Sequence, residues 1–257
     1  MIKLIASDLD GTLLLNGAQE LTSEVYELIS ALTKRGILLV AASGRPLTSQ
    51  QLLFGPVADK ISYIAENGAV YAHGGKVITT NEIDRALALE IADAVDAKPH
   101  CRLIVSSATT TYMKSGDESF LRHVRDVLRY HTVVVDEFSM ISEPIVKLAF
   151  WTPSDPNVDA LDLRERFSSR LKVMTSGKAW VDFMPYEINK GSALRMLAER
   201  LGIRSEEILA FGDEENDTEM LDFAGTSYAM ATAKESVKAH ADEVAVCVEE
   251  VLRELVQ

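Results

Sequence analysis

The sequence predicts an α/β fold in which the two ends of the chain build one parallel sheet and a second, α+β module is inserted between them. Short apolar runs alternate with amphipathic helical patterns near the start, and the same alternation returns near the end. The segment from about Glu82 to Asp182 departs from it. Uninterrupted apolar strands separated by helices are the mark of strands buried on both faces, as crossover helices bury them in a parallel sheet.

In chain order, Ile2-Lys3-Leu4-Ile5-Ala6 reads as the first strand and Asp10-Gly11-Thr12 as the turn that ends it. Thr22 opens a helix whose apolar residues Val25, Leu28, Ile29 and Leu32 fall at i, i+3, i+4 and i+7, and Gly36 closes it. Residues 37–42 form the second strand, followed by the polar turn Ser43-Gly44-Arg45-Pro46. In the middle portion, 102–105, 133–135 and 145–150 read as strands, with helices over 84–96 and 120–129; none of these strands ends in an aspartate. The first pattern then resumes. Leu194, Leu197, Ala198 and Leu201 give a helix over 192–201 stopped by Gly202, and 208–211 is a strand broken by Gly212-Asp213. The expected division is a domain made of residues 1–81 and 186–257, with 82–185 as the insert.

Composition narrows the function. At 257 residues, with 47% hydrophobic and 25% charged residues, the chain has ample material for a core, and global disorder is excluded. Lys and Arg number 26 against 39 Asp and Glu, a formal charge of −13. Nucleic acid and anionic membranes demand a basic footprint, so neither is expected as a partner. The acidity lies outside the insert: residues 81–185 carry 13 basic against 16 acidic side chains, and the two flanks together carry 13 against 23. Cys101 and Cys247 are too few for a disulfide framework. No apolar run approaches the roughly 18–20 residues that span a bilayer. The first six residues run into Asp8 with no cleavage-site pattern, so a cytoplasmic protein, monomeric or weakly homodimeric, is expected.

The chemistry gathers at strand ends. Asp8-Leu9-Asp10-Gly11-Thr12 directly follows a buried strand. Ligands of open α/β sheets bind outside the carboxyl ends of the strands. Two carboxylates one residue apart there are costly unless a cation neutralises them. A lone Asp-Gly would read as a turn or a helix cap; the five-residue string in this position does not. Gly212-Asp213-Glu214-Glu215-Asn216-Asp217 follows another buried strand. By itself it reads equally well as a solvated helix start, where acidic groups are favoured. Beside Asp8 and Asp10 it becomes the second half of an oxygen-rich site for a hard cation. Ser43-Gly44 offers a hydroxyl and backbone N–H groups to phosphate oxygens. Lys190, in Asn189-Lys190-Gly191 just before a helix, offers an ammonium to offset phosphate and carboxylate charge. Other signals fall away. Neither Gly75-Lys76 nor Gly177-Lys178 completes a Walker pattern, no G-x-G-x-x-G is present, and the five histidines form no i, i+4 pair. Trp151 and Trp180 are expected to pack within the insert, and Arg45 to make a contact at the boundary between core and insert.

With these strings in order, the chain resembles phosphatases of the haloacid dehalogenase superfamily, and within it the Cof-like subfamily, which carries a large (IIB-type) cap after the second motif. The motifs are Asp8-Leu9-Asp10-Gly11-Thr12, Ala42-Ser43-Gly44-Arg45, Lys190-Gly191 and Gly212-Asp213-Glu214-Glu215-Asn216-Asp217. Glu66-Asn67-Gly68-Ala69 and Ala229-Met230 also resemble subfamily strings, whereas Ala231-Thr232-Ala233 stands where relatives commonly carry Gly-Asn-Ala. The resemblance implies a Rossmann-like three-layer core with a cap that sets substrate specificity. It implies Asp8 as the nucleophile that becomes an aspartyl-phosphate, and Asp10 as general acid and then base. It implies Mg²⁺ held by the Asp8 carboxylate, the Asp10 backbone carbonyl and Asp213, with Asp217 acting through metal-bound water. Ser43, Lys190, Asn216 and the N–H groups of Leu9, Asp10 and Gly44 would hold the phosphoryl oxygens, and the Thr12 hydroxyl would orient Asp10. The implied substrate is a small phosphorylated metabolite, a sugar phosphate first. The alternatives are a phosphomutase using the same intermediate and a non-catalytic regulator that binds a phosphometabolite. Relatives that displace halide, or that stop at a stable aspartyl-phosphate, generally lack an acid at the position of Asp10.

Overall fold

The computed structural model describes residues 1–176 and 178–256; Gly177, half of the Gly177-Lys178 pair, and Gln257 lie outside the described residues. Among the described residues fourteen strands follow one another as β1 Leu4–Ser7, β2 Leu38–Ala42, β3 Ser62–Ala65, β4 Val70–His73, β5 Lys76–Thr80, β6 Arg102–Ser106, β7 Thr111–Lys114, β8 Thr132–Val135, β9 Lys147–Trp151, β10 Lys172–Ser176, β11 Trp180–Met184, β12 Ile208–Gly212, β13 Thr226–Met230 and β14 Glu243–Ala245. They form two sheets, one of eight strands in the order β14-β13-β12-β1-β2-β3-β4-β5 and one of six in the order β10-β11-β9-β6-β7-β8. The chain divides correspondingly into two compact units, Met1–Thr79 with Asn189–Gln257, and Thr80–Ile188.

The first unit is the α/β half. From β14 to β3 every pairing is parallel, and β1 lies between β12 and β2, with Ser7 opposite both Phe211 and Ala41. β1 and β12 come from opposite ends of the chain, so their carboxyl ends open side by side. The four residues of β1 and the five of β12 are all buried, as their apolar runs require. One buried cluster draws on both flanks, joining Leu4, Val40 and Ile64 to Leu194, Leu197, Ile208 and Ala210. The helix Ser23–Lys34 buries the predicted Val25, Leu28, Ile29 and Leu32, and the Thr22 hydroxyl caps it by accepting from the Val25 N–H at 3.3 Å. At the other edge the sheet ceases to be parallel: β4 runs antiparallel to β3, a hairpin strand the apolar pattern alone does not announce.

The second unit is the α+β half. Its sheet is antiparallel except where β7 pairs with β8. The helices Arg85–Asp96 and Leu161–Phe167 bury Ile91, Val95, Leu163 and Phe167 in the same apolar cluster as Leu103, Phe150 and Phe183. Trp151 and Trp180 are cross-strand partners, and Phe120 packs against both at centroid distances of 5.6 and 6.1 Å. No helix among the described residues is long and apolar enough to cross a membrane.

Candidate active site

Three loops and one helix start converge at the carboxyl ends of β1, β2 and β12. β1 delivers Asp8, whose N–H continues the ladder to the Phe211 carbonyl at 3.0 Å. The next neighbour, β12, ends at Gly212 and delivers Asp213. Gly11 turns back with φ +92°, and a Cβ there would collide with the Asp213 carboxylate, so only glycine admits the close approach of the two acidic loops. Lys190 enters from the first turn of the helix Lys190–Leu201. Asn189 caps that helix, its side chain accepting from the Ser192 N–H at 2.7 Å while the Ser192 hydroxyl accepts from the Asn189 N–H at 3.1 Å. The sequence expectation of a helix starting two residues later is corrected by this cap, which draws Lys190 into the helix and fixes its direction.

Lys190 is 1% exposed, and its Nζ donates to Asp8 Oδ1 and to Asp217 Oδ1, both at 2.6 Å. Asp217 is wholly buried and accepts at its other oxygen from the N–H groups of Asp213 and Glu214, at 3.0 and 3.1 Å. Asp213 accepts from the Thr12 hydroxyl at 2.9 Å through Oδ1. Asp8 keeps one oxygen, Oδ2, without a hydrogen bond among the described residues. The N–H groups of Leu9 and Asp10 are likewise without a hydrogen bond among the described residues.

The electrostatics are out of balance. Burial lifts the Asp8 acid well above the ordinary carboxylate range; Lys190 opposes this, while Asp217 and Asp213 add to it. Burial also pushes Asp213 up to about 6, against the Thr12 hydrogen bond and with the help of Asp217 and Glu214. Burial works against the Lys190 ammonium too, but Asp217 and Asp8 outweigh it and hold Lys190 above the usual lysine range. One ammonium thus faces three clustered carboxylates, and a further cation would relieve the repulsion. Asp8, Asp213 and Asp217 each offer an oxygen, all within 4.8 Å of one another. The all-oxygen donor set fits a hard divalent cation. Asp8 and Asp213 have capacity to spare for it. Asp217 has less, because its two oxygens already accept three hydrogen bonds, from Lys190 and from the N–H groups of Asp213 and Glu214.

One further sequence expectation is corrected. Thr12 is fully buried and donates to Asp213, so it neither orients Asp10 nor faces a phosphate. Arg45 forms a fork with the Asp10 carboxylate, Nε to Oδ2 at 2.8 Å and Nη2 to Oδ1 at 2.5 Å. Ser43 is buried, with its Oγ accepting from the Arg45 N–H at 3.2 Å, and Gly44 lies between them. Asn216 donates from Nδ2 to Asn67 Oδ1 at 3.0 Å. Asn67 carries no role in the motif reading, although its string Glu66-Asn67-Gly68-Ala69 is among those that resemble the subfamily.

A model of the haloacid dehalogenase-like hydrolases matches residues 5–252. The chain belongs to that family. It is therefore an enzyme, a hydrolase, and its resemblance to Cof-like phosphatases is shown at the family level. It is 26% identical over 242 residues to the 5-amino-6-(5-phospho-D-ribitylamino)uracil phosphatase YbjI of Escherichia coli, covering 93% of this chain and 89% of the relative. It is 28% identical over 237 residues to the HMP-PP phosphatase of Citrobacter koseri, covering 91% and 85%. A crystal structure from Eubacterium rectale matches at a TM-score of 0.90 and 28% identity over 99% of both chains.

Proposed function

We propose that this hydrolase is a Mg²⁺-dependent phosphatase of small phosphorylated metabolites, sugar phosphates foremost, that works through an aspartyl-phosphate on Asp8. The observation that carries the reading is the Asp8 carboxylate: Lys190 binds Oδ1, while Oδ2 is left without a hydrogen bond among the described residues. A nucleophile needs this asymmetry, one oxygen fixed and one available. That the named relatives are phosphatases of phosphorylated small molecules supports the substrate class.

Asp8 Oδ2 attacks phosphorus, and the bond from phosphorus to the leaving oxygen breaks. Asp10 gives that oxygen its proton, then takes one from the water that attacks the aspartyl-phosphate and returns Asp8 to its starting form. Both Asp10 oxygens are held by Arg45, so Asp10 acts only after that fork opens. The N–H groups of Leu9 and Asp10, with Ser43, Gly44, Lys190 and Asn216, hold the phosphoryl oxygens, and this positioning is most of what in-line displacement asks of a protein. Asp8, the Asp10 carbonyl and Asp213 would hold Mg²⁺, which would supply charge neutralisation for the phosphoryl group. The unit Thr80–Ile188 contains none of these residues, and substrate choice is assigned to it as a cap.

The test is phosphate release from a panel of phosphorylated metabolites, ranked by kcat/KM, with Mg²⁺ and after exhaustive chelation. Metal-dependent release led by sugar phosphates supports the reading. Full activity after chelation would remove the metal from it, and accumulation of a sugar bisphosphate without net phosphate release would replace the phosphatase with a mutase.

A further inference from the structure

We propose that Asn67 is a positioning residue for phosphoryl transfer, acting through Asn216. The proposal rests on the reading of Asn216 as a phosphoryl-binding group. After β3 the backbone takes left-handed φ at three successive residues, Glu66 (+51°), Asn67 (+55°) and Gly68 (+106°). Such a run is unfavourable for side-chain-bearing residues and persists only where the surroundings over-determine it. Here the surroundings are the loops that carry the site. The Glu66 N–H donates to the Arg45 carbonyl at 3.2 Å and the Asn67 N–H to the Ser43 carbonyl at 3.0 Å, which stitches this loop to the one after β2. A Cβ on Gly68 would collide with the carbonyl oxygen of Asn189, the residue that caps the Lys190 helix. A Cβ on Gly44 would lie 2.9 Å from Asn67 Oδ1.

The loops bearing Ser43, Lys190 and Asn216 therefore meet at Glu66–Gly68. The side chain that projects a polar contact from this crossing is Asn67, 5% exposed, whose Oδ1 accepts from Asn216 Nδ2 at 3.0 Å. Asparagine suits the position for two reasons. It tolerates left-handed φ better than most residues, and its amide oxygen is a neutral acceptor that adds no charge beside a phosphate. By holding one end of the Asn216 amide, Asn67 fixes the direction of the rest. It touches no reacting atom.

The test is a double-mutant cycle on Asn67 and Asn216 with p-nitrophenyl phosphate and Mg²⁺, with inhibition by inorganic phosphate measured in each variant. Asn67→Gly removes the amide while keeping the left-handed backbone free of strain. It is expected to lower kcat/KM about ten- to a hundredfold and to weaken phosphate inhibition, with an unfolding midpoint close to wild type. Asn216→Ala should show the same signature, and the double variant should fall no further than Asn216→Ala alone. Losses that multiply in the double variant, or an Asn67→Gly enzyme with wild-type kinetic constants, would overturn the proposal. If Asn67→Gly does not fold, the neutral Asn67→Ser repeats the cycle under the same two criteria. A wild-type protein that released no phosphate from any ester would overturn the reading of the site itself, and this proposal with it.

Discussion

The Lys190 cluster and the Glu90 cluster use the same kinds of side chain to opposite ends. In the α/β unit, one buried ammonium binds Asp8 and Asp217 at 2.6 Å while Asp213 stands close by. In the other unit, Glu90 is bound by Arg166 and Arg170, each at 2.8 Å, with both guanidinium groups over the Phe167 ring. The hydrogen bonds from Arg170 and Arg166 hold the Glu90 acid at about 2. There cations outnumber anions, and the partly exposed charges are screened by water. In the buried cluster anions outnumber cations, Asp8, Asp217 and Lys190 are largely shielded from water, and the acids of Asp8 and Asp213 rise instead of falling. Ion pairs alone do not mark function. An imbalance of charge kept out of water does, because folding bears its cost and a ligand relieves it.

The largest effect should come from Asp8→Asn, which keeps the shape and removes the proposed nucleophile. Turnover is expected to fall by ~10³-fold or more while cooperative unfolding persists. Near wild-type hydrolysis of any good substrate would break the assignment of the buried cluster as the reacting one. Asp10→Asn should be selective. An alkoxide needs the proton and an aryl oxide much less, so the loss on a sugar phosphate is expected at ~10²–10⁴-fold and that on p-nitrophenyl phosphate well below it. Equal losses would count against Asp10 as the acid.

Stability sharpens the contrast between the clusters. Lys190→Met leaves Asp8 and Asp217 buried without their ammonium, and urea denaturation should show a loss of ~3–5 kcal/mol. A loss below about 1 kcal/mol, the scale of an exposed pair, would erase the distinction.

Proton linkage gives the two clusters opposite signs. The Asp213 acid lies at about 6 in the folded chain, above its ordinary 3.8. The folded state therefore binds more protons between these values, and the stability Asp213 contributes is full below 3.8 and declines as pH rises through 6. For Glu90, depressed from 4.5 to about 2, the contribution is full above 4.5 and is lost as pH falls through 2. Unfolding midpoints of chelated wild type, Asp213→Asn and Glu90→Gln, taken across this range, should give difference curves of opposite slope. Parallel curves would refute the contrast. The smallest effect is expected from Arg170→Ala, since Glu90 keeps Arg166: the midpoint should be unchanged within error at about 0.15 M salt.

Much of this is legible in the sequence. Strands β1, β2 and β12 stand out as apolar runs, because a strand buried on both faces has no room for polar residues. Asp8 and Asp10 stand out because paired carboxylates directly beyond a buried strand are hard to explain by packing; Asp213 and Lys190, which singly read as a helix start and a surface lysine, take their meaning beside them. The helix Ser23–Lys34 is written in its own period and cap. These are local properties, and the chain states them in consecutive residues.

Pairing is not local, and only the tertiary structure decided it. Thr12 meets Asp213 across 201 residues, Lys190 meets Asp8 across 182, Asn216 meets Asn67 across 149, and Arg45 meets Asp10 across 35. Each hydroxyl, ammonium or amide could serve several partners, and the sequence names the donors without choosing among the acceptors. The choice follows from β1 lying between β12 and β2, which brings their loops together, and from the Asn189 cap, which aims Lys190. Sequence thus determined which groups the site contains. Burial and strand order determined which oxygen of Asp8 is held, which is left without a hydrogen bond among the described residues, and why three acids share one lysine.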